Sequence, residues 1–269
     1  MELYLAPPFD RLWQGKDPFA AVEALEGQVF RALEARRTLC AEIAGRKFFV
    51  KIHRGTGWAE IFKNLLSGRL PVLGAANEWR ALRRLHQLGV PTMTAVAYGC
   101  RGANPARRHS FIITEDLGDT ISLEDFTRDW RTIPPPPRLK RALIGEVARM
   151  ARTMHRGGVN HRDFYLCHFL MHKDSSPEKP RLSLIDLHRA QVRSRVPRRW
   201  RDKDLAGLYF SALDIGLTRR DLLRFLRIYF EQPLRDILVT EETLLKQLGS
   251  KAERLAVRFR RKYSAGADG

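Results

Sequence analysis

Cysteine is scarce: Cys40, Cys100 and Cys167 are the only three in 269 residues. An odd number without CxxC spacing argues against a disulfide framework and for a reducing compartment. No run approaches the ~18 consecutive apolar residues that a membrane span requires. The opening MELYLAPPFDRLWQGKD lacks a basic segment followed by a long apolar one, so no signal peptide is expected and a cytoplasmic protein is. Internal repeats are absent. Acidic residues are in the minority, 30 Asp and Glu against 48 Lys and Arg, which leaves a net charge of +18. That surplus identifies no fold. It suits an anionic partner: nucleic acid, a phosphorylated ligand, an acidic protein or an anionic membrane face. A hydrophobic content of 44% argues against global disorder.

The first part of the chain reads as sheet. Asp17-Pro18 before FAAVEALEG predicts a short helix with Asp17 as N-cap and Gly27 as its stop. Three strand-like runs follow at 28–34, 37–44 and 47–53, a natural antiparallel meander. In the third, Phe48, Val50 and Ile52 share one face, and Phe49, Lys51 and His53 the other. The run 74–89 predicts a helix with Trp79, Leu82, Leu85 and Leu88 on one side and Glu78 near its start. Strands are expected at 92–100 and 110–117. The second part reads as helix. A proline run opens a helix with Leu139, Leu143, Ile144, Val147, Met150 and Met154 on one stripe, ended by Gly157-Gly158. A strand at 181–186 follows, then helices to the end. The expected class is α+β, with a sheet-rich lobe at 1–117 and a mostly helical lobe at 118–269.

Four residues acquire meaning from their order. Lys51 lies on the third strand, Glu78 on the next helix, Asp163 in His161-Arg162-Asp163 after the long helix, and Asp186 after the next strand. This is the order of parts in a protein-kinase-like phosphotransferase. Phosphoryl transfer develops charge on non-bridging oxygens and needs cations at fixed positions. Lys51 would neutralise phosphate charge, and Glu78 would hold its ammonium. Asp186 would bind Mg²⁺, a hard cation that takes oxygen ligands. Asp163 would accept the proton of the attacking hydroxyl. Each residue alone has a plainer reading, Lys51 as surface charge and Glu78 as a complement to the helix dipole. The agreement of order, spacing and element favours the set. The run 158–172 also raises a zinc reading through Cys167, His168 and His172, but their spacing matches no common ligand pattern.

At NHRDFYLCHFL and LIDLHRAQ the chain resembles the bacterial lipopolysaccharide core heptose kinase family, most specifically over 160–191. The resemblance implies a two-lobed protein-kinase-like fold, ATP with Mg²⁺, and a heptose hydroxyl of the lipid A-linked inner core as acceptor. It implies Asp163 as the catalytic carboxylate, Asp186 as magnesium ligand, Lys51 as phosphate-binding lysine and Glu78 as its partner. The strand end with Glu115 and Leu117 becomes the adenine-binding hinge. The chain departs from protein kinases in four places. His168 stands where the HRD motif has its Asn, a poor Mg²⁺ ligand but still a candidate at the metal. Asp186-Leu187-His188 lacks Phe-Gly, and no APE follows. The first hairpin reads LEARRT rather than GxGxxG, which makes Arg36 and Arg37 candidates to cover phosphates, beside their plainer reading as surface charge.

Between 193 and 203, Arg193, Arg195, Arg198, Arg199, Arg201 and Lys203 oppose Asp202 alone. The segment is either a solvated basic loop or the binding surface for an anionic acceptor, which arginine grips bidentately. The last helix intersperses Leu255, Val257 and Phe259 with Lys251, Arg254, Arg258, Arg260, Arg261 and Lys262, and is expected to cap the lobe or meet the anionic inner membrane. Two other readings compete: another small-molecule or sugar kinase of this fold, such as an aminoglycoside, choline or Kdo kinase, and a basic membrane- or nucleic-acid-binding module on an inactive scaffold. The intact Lys51, Asp163 and Asp186 argue against the latter, and nucleic acid is not expected as a partner.

Overall fold

The computed structural model describes residues 1–33, 35–66 and 74–264. The chain divides into two compact units. The first comprises Met1–Arg83, Thr92–Leu117 and Asp186–Arg189; the second comprises Arg84–Pro91, Gly118–Ile185 and the chain from Ala190 onward.

The first unit contains β1 (Glu2–Leu5), α1 (Phe9–Leu12), α2 (Pro18–Glu23), β2 (Gln28–Leu33), β3 (Arg36–Ile43), β4 (Arg46–His53), α3 (Trp58–Leu66), α4 (Ala76–Gln87, whose last turn belongs to the second unit), β5 (Ala95–Arg101) and β6 (His109–Glu115). Its antiparallel sheet runs β1-β5-β6-β4-β3-β2. The expected meander is present, β3 pairing with β2 on one side and β4 on the other. Side-chain alternation on β4 buries Phe48, Val50 and Ile52 against Phe9, Trp13, Phe19 and Val22 of α1, α2 and their link. Asp17 caps α2, its carboxylate accepting the Phe19 N–H at 3.0 Å, an interaction that contributes about 1 kcal/mol. The helix stops at Glu23, short of Gly27. One strand of this unit was not expected from the sequence: β1 pairs with β5, and Tyr4 and Tyr98 both meet Trp79, the latter in a stack at 4.9 Å.

The second unit contains β7 (Thr120–Ser122), α5 (Leu123–Phe126), α6 (Pro137–Arg156), β8 (Val159–Asn160), β9 (Phe169–His172), β10 (Leu182–Leu184), β11 (Gln191–Val192), α7 (Arg198–Ser211), α8 (Arg219–Phe230), α9 (Leu234–Thr240) and α10 (Glu242–Ser264). On α6, Leu143, Val147, Met150 and Met154 are buried at helical spacing, each worth roughly 2 kcal/mol of transfer free energy. Thr218 and Asp221 form a reciprocal cap on α8. An apolar cavity of about 330 Å³ opens among α6, α7, α8 and α10. Among the described residues, Asp221 is the one charged residue lining it. Gly158 has φ +84°, and a Cβ there would stand 1.9 Å from the Arg193 carbonyl. Only glycine lets β8 lie this close to β11.

Candidate active site

Lys51 and Glu78 are joined directly. The Lys51 ammonium donates to Glu78 Oε1 at 2.6 Å, with Glu78 fully buried and Lys51 nearly so. The pleat puts Lys51 on the β4 face opposite the Phe48–Val50–Ile52 core, and the first turn of α4 brings Glu78 to it. Glu78 Oε2 has no hydrogen-bond partner among the described residues. A fully buried carboxylate with one open lone-pair site is expensive unless a cation neutralises it, and Lys51 is that cation. Two residues along β4, His53 is also buried; burial first, then the charges of Arg36, Lys51 and His188, push its imidazole down to about 3.

Asp186 lies in a left-handed backbone conformation (φ +60°), which costs a non-glycine residue roughly 1–2 kcal/mol. It opens the turn Leu187–Arg189, and His188 folds back so that its Nδ1 donates to Asp186 Oδ1 at 2.5 Å. The imidazole thus orients the carboxylate, a job the sequence did not reveal for His188. Glu115 ends β6; its N–H donates to the Thr94 carbonyl at 2.9 Å and its carboxylate pairs with Arg46 at 2.5 Å. Leu117, two residues on, is half-buried.

In the second unit, Asp163 follows Arg162, another left-handed residue (φ +76°). The loop is held from below by Asp204 of α7, a residue the sequence reading passed over. Its Oδ2 accepts the His161 N–H at 2.6 Å and its Oδ1 the Arg162 N–H at 2.8 Å. His155 Nε2 donates to Oδ2 at 3.2 Å, and its Nδ1 meets the Tyr229 hydroxyl at 2.7 Å. In the sequence Asp204 is one of two aspartates in the charged run Arg201–Asp204, with nothing to mark it out. His161 shapes the loop, donating from Nε2 to the Ile185 carbonyl at 2.9 Å and stacking on His168. His168 Nδ1 donates to the Asp163 carbonyl at 2.7 Å, so any metal contact by His168 would fall to Nε2. His172 bonds Ser183 through Nε2 at 2.9 Å. His168 and His172 thus serve different local contacts.

The arginines separate into groups. Arg198 and Arg201 converge on Glu241, at 3.0 and 2.7 Å, and Arg201 also pairs with Asp202. Burial pushes the Glu241 carboxyl up, but the hydrogen bonds from Arg201 and Arg198 outweigh it and leave it below its ordinary range. Arg193 donates to Asn160 Oδ1 at 2.5 Å and to Gln191 Oε1 at 2.7 Å. Arg195 and Arg199 are exposed. The segment expected as a loop becomes helical at Arg198, because Pro197 initiates α7 there. Arg37 holds the Glu23 and Leu25 carbonyls at 3.1 and 3.0 Å, a structural task in place of the phosphate contact considered for it. In α10, the side chains of residues 251, 255 and 258–262, on which the membrane expectation rested, lie outside the described residues.

The donor set of the first unit suits a nucleotide triphosphate. Lys51 offers a fixed cation, and Asp186 a carboxylate for a hard divalent ion. Comparison with known proteins agrees. The model of the lipopolysaccharide kinase (Kdo/WaaP) family matches residues 20–229. The chain is 65% identical to the "Lipopolysaccharide core heptose(I) kinase WaaP" of Pseudomonas aeruginosa, over 97% of this chain and 98% of that one. It is 58% identical to the Escherichia coli protein of the same name, over 96% and 98% of the two chains. A solved structure, "WaaP in complex with acyl carrier protein", superposes with a TM-score of 0.85 at 61% identity, covering 95% of this chain and 99% of that one. The two-lobed kinase-like fold expected from the sequence is therefore present, and the chain belongs to the lipopolysaccharide kinase (Kdo/WaaP) family.

Proposed function

We propose that this chain transfers the γ-phosphoryl group of ATP to a hydroxyl of heptose I in the lipopolysaccharide inner core. The observation that carries the acceptor is the 65% identity, over almost the whole of both chains, to a kinase named for that sugar. The chemistry rests on residues of this chain. Residues 1–117 bind the nucleotide, with Lys51, positioned by Glu78, on its phosphates and the backbone at Glu115 and Leu117 against adenine. Residues 118–269 carry the catalytic loop and the acceptor segment. Asp163 takes the proton as the sugar oxygen attacks phosphorus and ADP leaves. Asp186, oriented by His188, holds Mg²⁺, which neutralises charge on the phosphates when bound; His168 is the second candidate at the metal. The basic segment of Arg193, Arg195, Arg198, Arg199 and Arg201 faces an anionic acceptor, with Arg198 and Arg201 held by Glu241 and the contact left to Arg193, Arg195 and Arg199.

No described helix is long and apolar enough to cross a membrane. The acceptor is lipid-linked, so we place the enzyme in the cytoplasm, peripheral to the anionic inner leaflet. The net charge of +18 and the solved complex of a relative with acyl carrier protein support an acidic protein partner of that kind. The test is incubation with Mg-ATP and heptosylated, unphosphorylated lipid A core, followed by mass spectrometry. Phosphate on the heptose with the intact chain, and none with Asp163→Ala, is the expected result. ATP binding without transfer to this acceptor would refute the assignment.

A further inference from the structure

Arg36 opens β3, and the sheet register sets it beside His53 of β4, with Thr38 beside Lys51. Partners in register share a face. Arg36, Thr38, Lys51 and His53 therefore stand together on the side of the sheet opposite the core of Leu39, Val50 and Ile52. Arg37 alternates to the other side, where it holds the carbonyls that end α2. All these residues, and Glu78, belong to the first unit. Four buried side-chain atoms without a hydrogen-bond partner among the described residues gather around Lys51: Arg36 Nε, Thr38 Oγ1, His53 Nε2 and Glu78 Oε2. Buried polar groups are nearly always satisfied, so four open ones on one face mark a place that a polar ligand completes.

Charge says what kind of ligand. The Glu78 carboxylate is taken by Lys51. No carboxylate among the described residues pairs with Arg36. Burial first, then the charges of Arg36, Lys51 and His188, hold the His53 imidazole down at about 3, so it stays neutral and supplies no anion either. A half-buried guanidinium beside a fixed ammonium, with no anion of the protein to meet it, is complementary to an anion from outside. Register also gives the order along the sheet. β4 pairs with β6 from Phe48, opposite Glu115 at the proposed adenine end, to His53, opposite Ser110. Arg36 is level with His53, two residues beyond Lys51, which at ~3.4 Å per residue puts it about 7 Å farther from that end.

We propose that Arg36 grips the terminal phosphate of the nucleotide, beyond the phosphates that Lys51 meets, and so selects a triphosphate over a diphosphate. This rests on the reading of Lys51 and Glu115 as the nucleotide site. The hairpin LEARRT has no glycine amides to offer a phosphate, and a guanidinium at the start of β3 takes over their task.

The test measures binding rather than turnover. The full chain with Mg²⁺ is titrated calorimetrically with ADP and with the non-hydrolysable triphosphate AMP-PNP. The native chain should bind the triphosphate more tightly. Arg36→Ala should weaken AMP-PNP by about tenfold or more and ADP by less than about twofold, which erases the preference. Arg36→Gln, which keeps much of the shape without the charge, should do the same and serves if the alanine variant is unstable. Arg36→Lys, which keeps the charge but not the planar fork, should recover only part of the loss. Lys51→Met should weaken both nucleotides. Retained ADP binding shows that the Arg36 variants are folded. Equal losses for the two nucleotides in Arg36→Ala and Arg36→Gln, or no loss for either, would overturn the assignment of Arg36 and leave the nucleotide site standing. A native chain that binds neither nucleotide would overturn the assignment together with the reading on which it rests.

Discussion

Asp204 Oδ2 accepts the His161 N–H at 2.6 Å, while its other oxygen takes the N–H of Arg162. One buried carboxylate thereby holds the two amides that precede Asp163, and supports Arg162 in a conformation L-residues rarely adopt. Asp204→Asn keeps the shape but turns one acceptor into a donor that faces an N–H. It should cost about 2–4 kcal/mol of stability and lower kcat much more than it raises the ATP KM. Thermal unfolding beside steady-state kinetics checks this; a kcat within twofold of the native value would sink it.

The Lys51–Glu78 pair should behave as one unit. Lys51→Met removes a fixed cation from the phosphates and should lower kcat/KM roughly 100-fold or more. Glu78→Gln leaves the ammonium without its anchor and should lower it less. Because each acts through the other, the double variant should be no worse than Lys51→Met alone, which a double-mutant cycle measures directly. Additive losses would show two independent tasks.

His53 couples stability to pH. Its imidazole is held near 3 in the fold, and in the unfolded chain it titrates near ~6.5. The unfolded chain therefore binds a proton that the folded one refuses. Stability is full above about pH 6.5 and falls as the pH drops toward 3, by up to about 2 kcal/mol between pH 6.5 and 5. Urea unfolding at pH 7 and pH 5 should show this extra loss in the native chain and its absence in His53→Leu. Equal losses in the two proteins would place the pH sensitivity elsewhere.

The arginines of α7 and of the segment before it should separate by phenotype. Arg201 is mostly buried between Asp202 and Glu241, and Arg201→Ala should cost about 2 kcal/mol, since it takes the guanidinium from Asp202 and leaves Glu241 with Arg198 alone. Arg195→Ala, at an exposed position, should stay within about 0.5 kcal/mol of the native chain. Differential scanning calorimetry of the two variants is sufficient.

Much of the site was legible because it depends on local pattern. Alternation on β4 placed Lys51 away from the core, and apolar spacing after a proline run marked α6 as far as its glycine stop. The pieces that were missed depend on distant contacts. β1 is four residues long, and only its pairing with β5 makes it a strand. Asp204 acts on backbone amides more than 40 residues away, which leave no trace in residue types. The turn with Asp186 packs with the first unit although its neighbours in the chain belong to the second. Arg198 and Arg201 looked like loop charge until Glu241 arrived from beyond α9.

Helix α7 bears two loads. Its first turn presents Arg199 and Trp200, and Asp204, about one and a half turns on, braces the loop that carries Asp163. Any shift of the helix to suit a different saccharide would drag that loop with it. On the function proposed above, a change of acceptor would then be confined to exchanges of side chains on a stationary rod. Relatives that phosphorylate other sugars should keep an aspartate at position 204 while varying the residues at 195, 199 and 203.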